Sequence, residues 1–423
     1  MDSEATTNQS IALSGQRSGP IERLAQKAVL SHFAKIRRGY LEIQTPDGDC
    51  HAFGDESSAL RGIVRVRDTQ FFRRSLVGAD IGFGESYMEG EWDSPDATAV
   101  LRVLAENMQH ADERGFLANR IVRAGDRIRH FLNANTRLGS RKNIARHYDL
   151  SNDFFRVFLD ETMTYSCALW RRPEETLREA QLGKIHALIA QARIGPNDHV
   201  LEIGSGWGAL AIEAVHKTGC RVTTVTLSRE QLAVVRERVN AAGLGDRITP
   251  MLCDYRDVQG QFDKVVSVEM LEAVGHEYLG TFFKTVDRLL APNGIAAIQV
   301  ITIPDQRYDR YRRSTDWLQK HIFPGAVVPS LTALTNAMTR DSSLMIERAE
   351  NIGIHYARTL REWRQVFLAN IDSIRGMGFD DRFCRMWDYY LRYCEAGFES
   401  RLLGTMHLML TRPNNITLPV HGE

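Results

Sequence analysis

Residues 200–208 read Val-Leu-Glu-Ile-Gly-Ser-Gly-Trp-Gly, a short apolar run closed by glycines at 204, 206 and 208. Glycines there let the chain turn sharply and let a ligand approach the backbone closely. A helical pattern follows over 208–217, and its free N–H groups favour a polar or negative partner. With Ala209 the same letters satisfy G-x-G-x-x-G/A, so NAD, FAD and S-adenosylmethionine (SAM) all stay open, as does a plain tight turn. An NAD site places an acid about 20 residues beyond the first glycines, at the end of the second strand. Here that place reads Thr226-Leu227-Ser228, which counts against NAD. SAM asks instead for polar ribose contacts and an adenine slot, often with an acid after the third strand, where Asp254-Tyr255-Arg256-Asp257 stands.

The elements needed to hold such a site follow in regular alternation. Strands are predicted at 200–204, 221–227, 248–252, 262–268 and 294–303, with helices at 208–217, 229–242 and 276–290. That order predicts an α/β fold, a doubly wound and mostly parallel sheet with ligands at the carboxyl ends of its strands. After Ile303 the chain is tyrosine- and arginine-rich, then helical, with Trp363, Phe367, Trp387, Tyr390 and Tyr393 expected to wall those strand ends.

Composition bounds the rest. The 423 residues are 43% hydrophobic and 25% charged with zero net charge, which suits a globular chain of two domains and argues against nucleic acid as a partner. Six scattered cysteines without a C-x-x-C pair suggest neither disulfides nor a metal site and fit a reducing cytoplasm. Residues 1–19 read as a flexible polar tail, and no apolar run reaches the roughly 18 residues of a membrane span.

Residues 20–115 are expected to form a small accessory α+β domain. It comprises a helix over 21–38, short strands in hairpins at 40–44, 51–53 and 62–67, a helix over 71–76, and a helix capped by Ser94-Pro95 and running to about Asn107. Residues 116–142 carry many arginines interleaved with apolar side chains. That pattern serves either as a solvated linker helix or as an anchor on anionic lipid. Residues 143–423 are expected to form the catalytic domain.

Several runs together resemble the cyclopropane-fatty-acyl-phospholipid synthase family: VLEIGSGWG, TLSREQ (226–231), CDYRD (253–257), EMLEAVG (269–275), IFPGAVVPS (322–330), RHYDLSNDFF (146–155) and MTYSCALW (163–170). LEIQTPDG and DIGFGESYMEGEW extend the likeness to the amino-terminal part of the longer members, so it covers roughly 20–412. The resemblance implies a SAM-dependent methyltransferase with a Rossmann-like catalytic domain, which bridges the cis double bond of an unsaturated phospholipid acyl chain with a methylene group. It implies that Tyr148, Tyr165, Ser166, Glu202, Gly204, Gly206, Thr226, Leu227 and Gln231 hold SAM, with Asp254 and Tyr255 near its adenine.

The resemblance further implies a bound bicarbonate as base, on Cys167, Glu272, Ile301 and Tyr356, with Gln299 and Ala273 standing where bacterial members usually carry histidines. Both changes resemble a plant-type branch. Gln299 can donate a hydrogen bond to an anion but cannot carry its charge or proton. A homodimer at the cytoplasmic face of the membrane completes the expectation.

The chemistry explains these groups. An isolated alkene is a poor nucleophile, so its methyl donor must be a strong electrophile, and transfer leaves a carbocation on the chain. The site must exclude water and hold a base, while aromatic faces such as those of Tyr165, Trp170 and Tyr356 stabilise the cation. A relative that loses the proton elsewhere would give a methyl-branched or methylene product. Glu272, just past the fourth strand of the sheet, is expected to orient the base. Cys167, with no general base evident in the sequence to generate a thiolate, is expected to be a ligand and not a nucleophile.

Overall fold

The computed structural model describes residues 19–108 and 151–418. The basic segment at 116–142, Tyr148 and all but the last residue of the expected tail lie outside the described residues.

The amino-terminal part contains α1 (Pro20–Phe33), β1 (Tyr40–Gln44), β2 (Cys50–Gly54), β3 (Arg61–Val66), α2 (Gln70–Met88), β4 (Trp92–Asp93) and α3 (Ala97–Asn107). Its sheet runs β2-β1-β3-β4. β1 and β2 form the expected hairpin, but β3 lies parallel to β1 on its other side and is not a further hairpin arm. Burial explains the arrangement: Leu41, Ile43, Val64 and Val66 are all buried, whereas β2 alternates exposed and half-buried positions as an edge strand does.

The glycine-punctuated stretch after Leu76 does not break the helix. It continues through a kink at Ala79 (φ 49°, ψ −126°) to Met88. Tertiary packing overrides the low helix propensity there, since a Cβ on Gly84 would lie 2.5 Å from the indole of Trp317. Asp96, not Ser94, caps α3, accepting from the Ala99 N–H at 3.1 Å.

The second part contains α4 (Asn152–Phe158), α5 (Leu177–Gln191), β5 (His199–Ile203), α6 (Ala209–Thr218), β6 (Arg221–Thr226), α7 (Arg229–Ala241), β7 (Ile248–Leu252), β8 (Phe262–Val268), α8 (Leu279–Leu289) and β9 (Leu290–Thr302). These agree with the predicted alternation. Then come α9 (Asp305–Tyr311), α10 (Trp317–His321), α11 (Leu331–Asp341), β10 (Met345–Asn351), α12 (Ile354–Ala369), α13 (Ile371–Gly376), α14 (Asp381–Glu399) and β11 (Gly404–Thr411).

The seven-stranded sheet has the order β10-β11-β9-β8-β5-β6-β7. β5 to β9 are parallel, while β11 and β10 close the β9 edge antiparallel. Both faces are covered, as parallel strands require. Val200, Val222 and Val266 pack on Leu188, Ala211 and Val235 on one side, and Leu201, Val265 and Ile298 pack on Phe282, Val286 and Met338 on the other. The sequence reading missed β10 and β11, which contribute short runs amid strongly helical surroundings. Their placement matters because β11 sets His407 directly beside Gln299 on β9.

Strand order reverses at β5, with β6 on one side and β8 on the other. In doubly wound sheets ligands settle outside the carboxyl ends at such a switch point. The glycine bend after β5 and the Glu269–Gly275 run after β8 therefore face a common crevice.

Candidate active site

Gly204 (φ 95°) makes the turn out of β5 in a conformation that side-chain-bearing residues rarely adopt, and opens the crevice above it. The resulting cleft, of about 200 Å³, is lined by Tyr165, Ser166, Glu202, Gly204, Gly206, Thr226, Leu227, Gln231, Asp254 and Tyr255. The fold thus brings together every expected cofactor residue within the described range. Thr226 Oγ1 donates to Gln231 Oε1 at 2.8 Å, and Asp254 holds Arg256 through two contacts of 2.8 and 2.6 Å.

Two buried titratable groups form the floor of this cleft. Glu202 is buried, burial pushes its carboxyl up to about 8, and its Oε2 has no hydrogen-bond partner among the described residues. That orphaned acceptor suits a ligand with N–H or O–H donors, as the amino acid part and ribose of SAM provide. Beneath it Lys184, wholly buried and brought down to about 8 by desolvation, donates to Ser166 Oγ at 2.6 Å.

A second cavity, of about 470 Å³, lies on the other side and is mostly apolar, within the size range of small-ligand sites. The two cavities share three lining residues: Tyr165, Glu269 and Ala273. Glu269 is the node where they meet. Its Oε1 accepts from the Cys167 backbone N–H at 2.9 Å and from Gln299 Nε2 at 2.8 Å, and its Oε2 accepts from Tyr356 Oη at 2.7 Å. The residue sits in the left-handed region (φ 48°), which costs a non-glycine residue about 1 kcal/mol or more and aims the carboxylate across the end of β8.

Gln299 is fixed from behind. His407 Nε2 lies 2.9 Å from Gln299 Oε1, and desolvation brings the imidazole down to about 4, so it is neutral. Because the Gln299 amide donates forward to Glu269, its oxygen faces back and His407 must carry its proton on Nε2.

Glu272 is a distinct group. Its Oε1 accepts from the Ile301 N–H at 2.5 Å, and its Oε2 is buried without a partner among the described residues. Burial, then the nearby charge of Glu269, pushes it up to about 8. Burial raises Glu269 as well, opposed by three hydrogen-bond donors and by Lys184. With both of its oxygens accepting hydrogen bonds, Glu269 is the better stabilised of the two as a carboxylate, and Glu272, with one oxygen unbonded among the described residues, the readier to hold a proton.

Cys167, Gln299 and Tyr356 do converge, as expected, and Glu272 with Ile301 lies alongside. Cys167 contributes its backbone, since its thiol approaches the Ala168 and Ile352 carbonyls and burial pushes it well above the usual thiol range. Trp170, expected among the aromatic faces, packs instead against Arg358 at 3.7 Å and bonds Thr359. Tyr165, Tyr356 and Tyr390 do line the apolar cavity, with Tyr165 and Tyr390 joined through their hydroxyls at 2.7 Å.

Sequence reasoning passed over Glu269, Lys184 and His407. An acid three residues before Glu272 was the available signal for the first. Only strand pairing reveals the last.

A switch-point cleft at a glycine bend, no acid on the strand after it, and an adjoining apolar cavity define a SAM-dependent methyltransferase acting on a hydrophobic substrate. Comparison with known proteins agrees. The family described as mycolic acid cyclopropane synthetase matches residues 136–408. The chain is 45% identical over 401 residues (93% of each chain) to a tuberculostearic acid methyltransferase of Mycobacterium tuberculosis. It is 34% identical over 388 residues (88% of this chain, 96% of the relative) to the cyclopropane-fatty-acyl-phospholipid synthase of Escherichia coli K12. A crystal structure of a mycolic acid cyclopropane synthase complexed with SAH and CTAB superposes with a TM-score of 0.60 at 29% identity, over 64% of this chain and 98% of that one. The chain belongs to the cyclopropane synthase family of SAM-dependent methyltransferases.

Proposed function

We propose that this enzyme methylates the cis double bond of an unsaturated phospholipid acyl chain and closes a cyclopropane ring, with Glu269 as the proton acceptor. The observation that carries this reading is the position of Glu269, a carboxylate at the junction of the cofactor cleft and the apolar cavity. SAM, when bound, supplies an electrophilic methyl group and a neutral thioether leaving group. The alkene π pair forms the new C–C bond as the S–C bond breaks, leaving a cation on the neighbouring carbon. Glu269 then takes a proton from the new methyl, and the freed C–H pair closes the ring. Tyr356, Gln299 and the Cys167 N–H hold the carboxylate in place, and the apolar walls keep water from the cation.

The resemblance assigns the base to bicarbonate, and these residues do not fit that ion. Three of the groups expected to hold it already bond Glu269, and the Ile301 N–H bonds Glu272. A further anion beside these carboxylates would meet repulsion in a poorly solvated site.

The acyl substrate brings the protein to the inner surface of the membrane as a peripheral cytoplasmic enzyme. The test is turnover on unsaturated phospholipid vesicles with and without stripping of carbon dioxide. The wild-type rate should be indifferent to bicarbonate, whereas Glu269→Gly, which vacates an anion-sized space, should be inactive without bicarbonate and partly rescued by it. A wild-type enzyme that stops when bicarbonate is removed would overturn the assignment of Glu269.

A second reading is favoured by the 45%-identical relative, a tuberculostearic acid methyltransferase. A hydride shift from the methylated carbon before proton loss would let the same carboxylate produce an exocyclic methylene. Proton NMR of the product lipid separates ring hydrogens from vinylidene hydrogens.

A further inference from the structure

The walls of the apolar cavity come from both parts of the chain. Val29 and Phe33 of α1 and Leu101 and Leu104 of α3 face it together with Leu360 and Phe398. Residues 19–108 precede the stretch 136–408 that the family model matches, so this wall lies outside the catalytic part that the model describes.

It is rigidly attached. Tyr87 Oη donates to Asp388 at 2.6 Å, Thr98 Oγ1 bonds Glu395 at 3.3 Å, and Arg385 Nη2 reaches the Trp92 carbonyl at 2.7 Å, all joining α2, α3 and β4 to α14. The kink in α2 falls at Ala79, which lines the cavity, so the backbone strain sits where the space is opened.

The cavity has an inner and an outer end. Glu269, Glu272 and Tyr356 mark the inner end. Lys35 and Met108 line the cavity while exposed to solvent, and Arg307 Nη2 lies 3.9 Å from Met108 Sδ, so a cationic rim stands at the outer end. Between them stand Leu101 and Leu104 of α3 and Met108, the residue that caps its C-terminus, spaced i, i+3 and i+7 along one face. At 1.5 Å per residue that stripe spans about 10 Å along the helix axis. This is comparable with the stretch of acyl chain between an ester and a mid-chain double bond.

We propose that the α3 stripe, with Leu104 at its centre, determines which acyl chains are modified by fixing how far from the ester a double bond can lie and still reach Glu269. The inference rests on the acyl-chain reading of the preceding section and adds a specificity role for the amino-terminal part. A phosphodiester held by Lys35 and Arg307 at the rim anchors the count, and the methylene groups that follow lie along Leu104 and Leu101. A larger side chain at 104 shortens the usable path, and a smaller one loosens it.

The experiment presents vesicles holding equal amounts of phosphatidylglycerol with octadecenoyl chains unsaturated at position 9 or position 11. Wild type, Leu104→Trp and Leu104→Ala are compared. The ratio of the two modified products is expected to change about tenfold in Leu104→Trp, as for a misfit of one or two methylenes in an apolar pocket. In Leu104→Ala it should move towards unity. Calorimetric SAM affinity, read at the separate cleft, should stay unchanged in both and reports that the variants are folded.

The same ratio is read without turnover by extracting and weighing the lipid each protein retains. A chain that retains lipid but methylates none would sink the proposed reaction and leave the retained ratio to judge α3. If product and retained-lipid ratios match wild type in both variants, α3 does not measure the chain; the Leu104→Ala ratio alone decides should Leu104→Trp fail to fold.

Discussion

Tyr356 Oη donates to Oε2 of Glu269 at 2.7 Å, tying helix α12 to the carboxylate where the two cavities meet. The phenol itself is buried, and burial together with the Glu269 charge holds it well above the usual tyrosine range, so it remains a donor throughout the working pH range. Tyr356→Phe keeps the ring and removes the donor. A hydrogen bond to a charged group contributes about 1.5–3 kcal/mol, so kcat should fall roughly 10- to 100-fold with SAM affinity unchanged. Losing a donor to the charged form also raises the carboxyl pKa, which moves the acid limb of the kcat–pH profile upward. An unmoved limb would mean that Glu269 is not the titrating base.

Cys167→Ser should retain most activity. The contact to Glu269 comes from the backbone N–H, and the buried thiol is neither ionised nor aimed at the carboxylate. Intact-mass spectra taken during turnover should show no methylated cysteine, and capture of the methyl group on Cys167 would contradict the assignment.

Glu272 supplies a pH signature in stability. Its folded pKa of about 8 lies above the ordinary value of 4.5, so the folded state binds a proton that the unfolded chain has released. The stabilisation is complete below about pH 4.5 and is lost as pH rises through about 8. Glu272→Gln, which mimics the protonated acid, should therefore gain melting temperature relative to wild type between pH 6 and 9. A difference in melting temperature independent of pH would place the proton elsewhere.

Gly84→Ala should destabilise the protein. The added Cβ would lie 2.5 Å from Trp317 Cδ1 and 2.8 Å from Tyr389 Cε1, both on rigid rings where α2 crosses α10 and α14. Overpacking of this kind costs about 1–3 kcal/mol, readable as a lower denaturation midpoint. Because α2 also lines the apolar cavity proposed to take the acyl chain, lipid retention should fall while SAM binding persists.

The sequence alone determined the doubly wound sheet and the glycine bend, while the residues expected around the cleft came from the family resemblance. Strand and helix periodicities are local, and motifs such as VLEIGSGWG carry their own geometry over nine residues. The same resemblance implied that Cys167, Glu272, Gln299, Ile301 and Tyr356 belong together. What it left open were contacts between residues far apart in the chain. His407 stands behind Gln299 only because β11 inserts between β9 and β10. The α3 wall shares a cavity with Glu269 and Glu272 only because α14 packs on α2, α3 and α12. Glu269 emerged as the central acid for a related reason: its neighbour Glu272 has the same chemistry and lies on the same short segment. The left-handed turn at 269 and the donors arriving from 167, 299 and 356 set the two carboxylates apart, and those are properties of the assembled fold.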